Sequence, residues 1–115
     1  MRASDYLQSY SASIIPGSNG ALDISFTVRG TSTMDELGST MIVLREKDGS
    51  SWKVVKTFLH TDYINMLSSN RVLYSSKVTY SGQSNKSYYA VVTFRAAKGG
   101  GGDTKPYTTA EVIAQ

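Results

Sequence analysis

The sequence predicts an all-β domain: seven antiparallel strands stacked as a sandwich, with one or two short helical turns, spanning residues 1–115 as one domain. Three observations predict it. Apolar residues recur at every second position through most of the chain, which is the period of an extended strand with one buried face. Glycine beside asparagine or aspartate falls between these stretches, in "PGSNG" at 16–20 and "KDGSS" at 47–51, where tight hairpins need left-handed backbone. No stretch is long enough for a helix that crosses between parallel strands, so the sheets are antiparallel.

The elements follow in order. "SDYLQSYSASII" (4–15) is rich in Tyr, Ser and Ile and reads as the opening strand. "ALDISFTVRG" (21–30) alternates cleanly, with Leu22, Ile24, Phe26 and Val28 on one face and Asp23, Ser25, Thr27 and Arg29 on the other. In "TMDELG", Thr33 and Glu36 have capping-box spacing and Gly38 can end a turn, so one helical turn is expected there. "STMIVLRE" (39–46) and "SWKVVKTFL" (51–59) are apolar on both phases, as strands near the middle of a sheet are. Trp52 shares a phase with Val54 and Phe58 and is expected in the core. "TDYINMLSS" (61–69) suits a short helix crossing between sheets. "RVLYSSKVTY" (71–80) and "SYYAVVTFRA" (87–96) restore the period of two, with Tyr74, Tyr80 and Tyr88 on the apolar phase. "YTTAEVIA" (107–114) is the last expected strand.

Composition bounds the chemistry. At 115 residues the chain fits one domain, and roughly two-thirds of its extended surface can be buried without staples. It has no cysteine, so disulfides, thiol redox chemistry and thiolate zinc are excluded. The net charge is +3 and the twelve Lys and Arg are dispersed, unlike the one-sided positive field of a nucleic-acid binder. No apolar run approaches the ~18 residues of a membrane-spanning helix, and no signal segment is present.

Tyr88, Ala90, Val92, Phe94 and Ala96, following the polar turn at 81–87, resemble the sixth strand of fibronectin type III and other immunoglobulin-like domains. In those domains a tyrosine at the start of the strand bonds its hydroxyl back to the preceding turn. A longer pattern is carried by Arg2-x-Ser4-x-Tyr6-Leu7, Val28-x-Gly30-Thr31, Met34-Asp35-x-Leu37-Gly38, Trp52-x-Val54-x-x-Thr57-Phe58 and Val78-x-Tyr80-x-Gly82. It resembles an uncharacterised family of small exported β-sandwich proteins of Gram-positive gut bacteria. The resemblance covers nearly the whole chain and implies a bacterial, secreted, immunoglobulin-like sandwich; it supplies no catalytic residues. That pattern expects a leader before Arg2; the extracellular expectation takes it as removed, and a cytoplasmic location is the alternative.

"AAKGGGGDTKPYTT" (96–109) could be a phosphate cradle, a calcium loop or a hairpin tip. A phosphate cradle needs a helix starting just after the glycines, whereas Asp103 and a β-rich stretch follow here. A tandem calcium repeat needs another register. The expected state is a flexible loop over 98–105. His60 is the single histidine and has no nucleophile pattern to serve, and the adjacent Asp35 and Glu36 do not face one another. No metal or cofactor is therefore expected, and the chain reads as no enzyme. The hint that remains is aromatic: eight tyrosines and one tryptophan, residue types that binding surfaces favour. Tyr6, Tyr10, Tyr89 and Tyr107, with Asp103, are the candidate contacts for a surface protein or a glycan. The expected function is a non-catalytic extracellular sandwich with a structural or protein-interaction role, and the alternative is a carbohydrate-binding module using exposed tyrosines. A coplanar pair of exposed tyrosine rings would favour sugar; an exposed apolar edge or face would favour a protein partner.

Overall fold

The computed structural model describes residues 6–115; Arg2, Ser4 and the first residues of the expected opening strand lie outside them. Along the chain run β1 (Leu7–Pro16), β2 (Ala21–Met34), β3 (Glu36–Asp48), β4 (Ser51–Leu59), β5 (Leu67–Ser68), β6 (Arg71–Ser81), β7 (Ser87–Lys98), β8 (Gly101–Thr108) and β9 (Val112–Ile113). Every described pairing is antiparallel. One sheet has the order β1-β2-β6 and the other β4-β3-β7-β8, with the two-residue β5 and β9 attached to β3 and β7. The result is an all-β sandwich measuring 44 × 27 × 19 Å.

Alternation builds the core where it was cleanest. Leu22, Ile24, Phe26 and Val28 of β2 face Tyr88, Ala90, Val92, Phe94 and Ala96 of β7, all buried. Ile42, Leu44 and Phe58 close the same layer. Phe26 and Phe94 meet edge to face at 5.8 Å and tie the two sheets together. Burying each such side chain stabilises the fold by roughly 1.5–3 kcal/mol. Polar groups caught in this layer are satisfied by the backbone. Ser39 sits at an irregularity between β3 and β7, where its hydroxyl donates to the Thr93 carbonyl at 2.8 Å. The Thr109 hydroxyl accepts the Ala90 N–H at 2.9 Å.

Six expectations are corrected. β4, expected near the middle of a sheet, is the outermost strand of its own, and the last long strand is Gly101–Thr108, with only Val112–Ile113 paired in the rest of the 107–114 stretch expected to form it. Trp52 is not in the core. The register between β3 and β4 shifts where Leu44 opposes Lys56 but Arg45 opposes Val54, so Val55 is an extra residue. A bulge reverses the inward and outward phases on its far side. Phe58 therefore faces the core, while Val54, 51% exposed, and the half-buried Trp52 face outward.

The helical turn expected at Thr33–Gly38 does not form. β2 runs on to Met34 and β3 starts at Glu36, an extended path that buries both Met34 and Leu37. Asp35 serves the neighbouring hairpin instead: its N–H donates to the Ala97 carbonyl at 2.8 Å, and its carboxylate accepts the Gly99 N–H at 2.9 Å.

The helix expected in 61–69 shrinks to a 3-10 turn, Ile64–Met66. Met66 is buried but Ile64 is 85% exposed, so there is no second apolar face to support a longer helix.

The glycine loop is also shorter than expected. Lys98 pairs with Gly101 and Ala97 with Gly102, so only Gly99 and Gly100 form the tip and β8 starts inside the glycine run. Gly99 takes the left-handed φ of +61° that the turn needs. Gly101 and Gly102 are there for closeness: a Cβ on Gly102 would lie 2.9 Å from the Ala96 carbonyl oxygen, and one on Gly101 would strike the Tyr6 hydroxyl.

Candidate functional site

Pairing register assigns the outer face of the four-stranded sheet, because directly opposed residues in an antiparallel pair point to the same side. With Ile42, Leu44, Val92 and Phe94 inward, the alternate residues face out in rows. The first row across β4, β3, β7 and β8 is Leu59, Met41, Thr93, Pro106; the second is Thr57, Val43, Val91, Thr108. The third is Val54, Arg45, Tyr89, and in the fourth Trp52 opposes Lys47. Leu59, Met41 and Val54 are 40%, 37% and 51% exposed, and no described element packs over them. This is an open apolar face with a cationic, aromatic end.

At that end Trp52 and Tyr89 meet edge to face, 4.7 Å between centroids and 78° between planes. Lys47 Nζ stands 5.9 Å from the Trp52 ring centre, within reach of a cation–π attraction. Arg45 lies between the strands that carry the two rings, and its Nε is buried without a hydrogen-bond partner. The ion pairs among the described residues are Lys53 with Glu46 at 3.6 Å, Lys77 with Asp23 at 3.4 Å and Arg95 with Glu36 at 3.2 Å. Neither Arg45 nor Lys47 takes part in one. A positive charge without an ion-pair partner beside apolar surface is a recognition feature for an anion.

The predicted contact residues divide between two places. Tyr89 is on the outer face just described. The other four line the seam between β1 and β8. The Tyr6 N–H donates to Asp103 Oδ2 at 2.9 Å, so Asp103 anchors the start of the described chain. Tyr10 packs 5.1 Å from Phe94 and 6.2 Å from Tyr107, and both tyrosines are partly buried against the core. These rings are braces of the sandwich more than a platform.

A second polar constellation lies at the start of β7, on the inner side of the strand next to Tyr89. Tyr88 is fully buried; its hydroxyl accepts the Gln83 N–H at 2.8 Å and donates to Glu46 Oε2 at 2.6 Å. The bond back to the preceding turn is the one that the resemblance of this strand implied. Burial, and then the bond to Glu46, push the phenol up to about 12. This holds a turn in place and presents no reactive group to solvent.

Elsewhere, a shallow groove of about 320 Å³ on the outer face of the three-stranded sheet is lined by Ser11, Ala12, Ser13, Ser25, Phe26 and Thr27. It offers hydroxyls and no titratable group. His60 is half-buried, and its backbone N–H donates to the Thr40 carbonyl. Among the described residues no three His, Asp or Glu side chains gather into a metal-binding group, and no helix is long and apolar enough to cross a membrane.

Sequence reasoning passed over Met41, Val43, Val54 and Leu59 and read Arg45 and Lys47, the nearest thing to a basic cluster, as part of a dispersed charge, although a signal was there. A strand apolar on both phases belongs where both faces are covered. β3 has that pattern and only one covered face. No family model matches the chain, and no curated protein matches it.

Proposed function

We propose that the protein is a non-catalytic, extracellular sandwich of the fibronectin type III and immunoglobulin kind, and that it binds a protein partner on the outer face of its four-stranded sheet. Taking the seven long strands as A, B, C, C′, E, F and G, the observed order reads A-B-E against C′-C-F-G, which supports the fibronectin-like assignment. The Tyr88 hydroxyl bonded to Gln83 N–H supports it too. The extracellular location rests on the resemblance to exported bacterial proteins.

One observation carries the functional reading: an uncovered sheet face on which Met41, Val54 and Leu59 are exposed and Val43 half-buried, with threonines between them. Contiguous exposed apolar surface of this kind marks interaction sites in folded proteins. The carbohydrate alternative asks for a flat aromatic platform, and the rings here give it less support. Trp52 and Tyr89 stand at 78°, and Tyr10 and Tyr107 at 85° with their faces turned into the seam. The buried polar side chains Tyr88, Glu46, Ser39 and Thr109 all take part in hydrogen bonds that hold strands and turns, which favours a scaffold over a catalyst.

The test runs a random peptide display library and a glycan array against the same folded preparation, with antibody labelling of intact source cells. The reading expects peptide ligands whose contacts map by amide chemical shift to Met41, Val54 and Leu59, no strong glycan, and labelling without permeabilisation. Strong binding of one glycan class, abolished by Tyr89→Ala, would transfer the function to the carbohydrate reading.

A further inference from the structure

We infer that the occupant of this face is an extended segment of a partner protein that carries a carboxylate beside apolar side chains, the carboxylate meeting Arg45 and Lys47. The inference rests on the protein-binding reading above and specifies the chemistry of the ligand.

Three observations lead to it. The first is charge. Arg45 and Lys47 stand side by side on β3 with no ion-pair partner, while the third cation of the face, Arg95, is already held by Glu36 at 3.2 Å. The unmatched charge is thus confined to the end of the face occupied by Trp52 and Tyr89. Those half-buried rings border the site, and a charge-assisted bond beside apolar surface is stronger than in bulk solvent.

The second is self-complementarity, which is lacking. A second copy laid on the same face would bring together two surfaces that each carry Arg45, Lys47 and Arg95 against Glu36, already paired with Arg95, and the exposed Glu111 beside Tyr89. Like charges across an interface oppose association, so the face does not suit its own copy.

The third is size. Four strands at ~4.8 Å spacing and the four rows from Leu59 to Trp52, two residues apart, give the apolar and unpaired cationic part of the face a footprint of roughly 14 by 20 Å. That is well below the ~800 Å² per partner of a standard interface between folded domains. It matches an extended stretch of about six residues at ~3.3 Å each. The apolar rows on Met41, Val43, Val54 and Leu59 would take alternate side chains of such a segment, which a charged polysaccharide does not possess.

The experiment is selection of a random twelve-residue display library on the full folded chain, followed by synthesis of the enriched peptides and titration by calorimetry. Selected peptides are expected to be enriched in Asp or Glu next to Leu, Ile, Val or Phe. Changing the acid to its amide should weaken binding about tenfold. Lys47→Gln and Arg45→Gln should each weaken it several-fold with unchanged melting temperature, and rising salt should weaken the parent complex more than either variant's. Since Lys47 is exposed, its variant stays informative if Arg45→Gln fails to fold.

Enrichment of neutral apolar peptides on the same face overturns this inference and leaves the protein-binding reading intact. Peptides that map to the three-stranded sheet, or no peptides at all, overturn both. A concentration-dependent dimer by sedimentation, dissolved by Val54→Glu, would give the face to a second copy. Binding of polygalacturonate in place of peptides would give it to an acidic glycan.

Discussion

Replacing Tyr88 with phenylalanine keeps the buried ring and removes one oxygen, which isolates the polar contribution of the network at the start of β7. Two partners lose their bond. The Gln83 N–H is part-buried and loses its acceptor, and the Glu46 carboxylate, 3% exposed, loses its donor. An unsatisfied buried donor costs about 1–3 kcal/mol, and a hydrogen bond to a charged group is worth a similar amount. Lys53, 3.6 Å from Glu46, offsets part of the second loss, so the total is about 2–4 kcal/mol. At ~4 °C per kcal/mol for a chain of this length, Tyr88→Phe should lower the melting temperature by roughly 10–15 °C in differential scanning calorimetry. A pH series supplies an independent arm. Tyr88 ionises near 10 in the unfolded chain and near 12 in the folded one, so between those values the folded state retains a proton that the unfolded state has lost. Its contribution is complete below pH 10 and falls away as pH rises towards 12, by up to roughly 3 kcal/mol. The stability gap between wild type and Tyr88→Phe should therefore narrow across that window. A variant within 0.5 kcal/mol of wild type at pH 7, or a gap that stays constant from pH 10 to 12, would refute the network as a stabilising element (the ~0.5 kcal/mol threshold being the usual scatter of neutral substitutions).

Other outcomes follow from the same geometry. Phe94→Ala should cost about 3–5 kcal/mol, whereas Trp52→Ala, half-buried on the outer face, should cost about 1–2 kcal/mol; equal losses in urea denaturation would return Trp52 to the core. Gly38→Ala places a Cβ against the Met66 carbonyl oxygen and should destabilise by about 1–3 kcal/mol. Gly100→Ala meets nothing within 4 Å and should be neutral or slightly stabilising; the reverse order in thermal melts would contradict the hairpin described. In hydrogen exchange read by NMR, the Gly100 amide should exchange fast and the Val92 amide slowly. Equal protection would show that the tip is not confined to Gly99 and Gly100.

What the sequence disclosed depended on whether a local pattern had one physical meaning. The alternation of Leu22 to Val28 and of Tyr88 to Ala96 had one, because no other backbone puts those residues on a single face, and both strands formed with their core sides as read. The phase of Trp52 was not legible, since a single bulge residue at Val55 exchanges inside for outside and leaves no mark in composition. Thr33 and Glu36 had the spacing of a helix cap, but burying Met34 and Leu37 together required an extended path. The glycine run could be read for turn-forming freedom at Gly99, yet the need for bare backbone against Tyr6 at Gly101 depends on tertiary contact. The candidate site was legible only in part. Tyr89 was named for its exposure, while the role of Arg45 and Lys47 emerges only when β3 is seen to have one open side.

β4 is the outermost strand of its sheet, and among the described residues its far backbone has no strand beside it. Such a row of N–H and C=O groups can template another chain. Here Val55 bends the row out of register, Lys53 is tethered to Glu46, and the Lys56 ammonium stands 5.6 Å from the Phe58 ring and 5.8 Å from that of Tyr63. A strand docking on this side would have to strip water from two ammonium groups and straighten a kink. Colloidal stability therefore depends on charges that acetylation can remove. Acetylating both lysines should convert a guarded border into an adhesive one, visible as fibrils that bind thioflavin at concentrations where the unmodified protein stays clear.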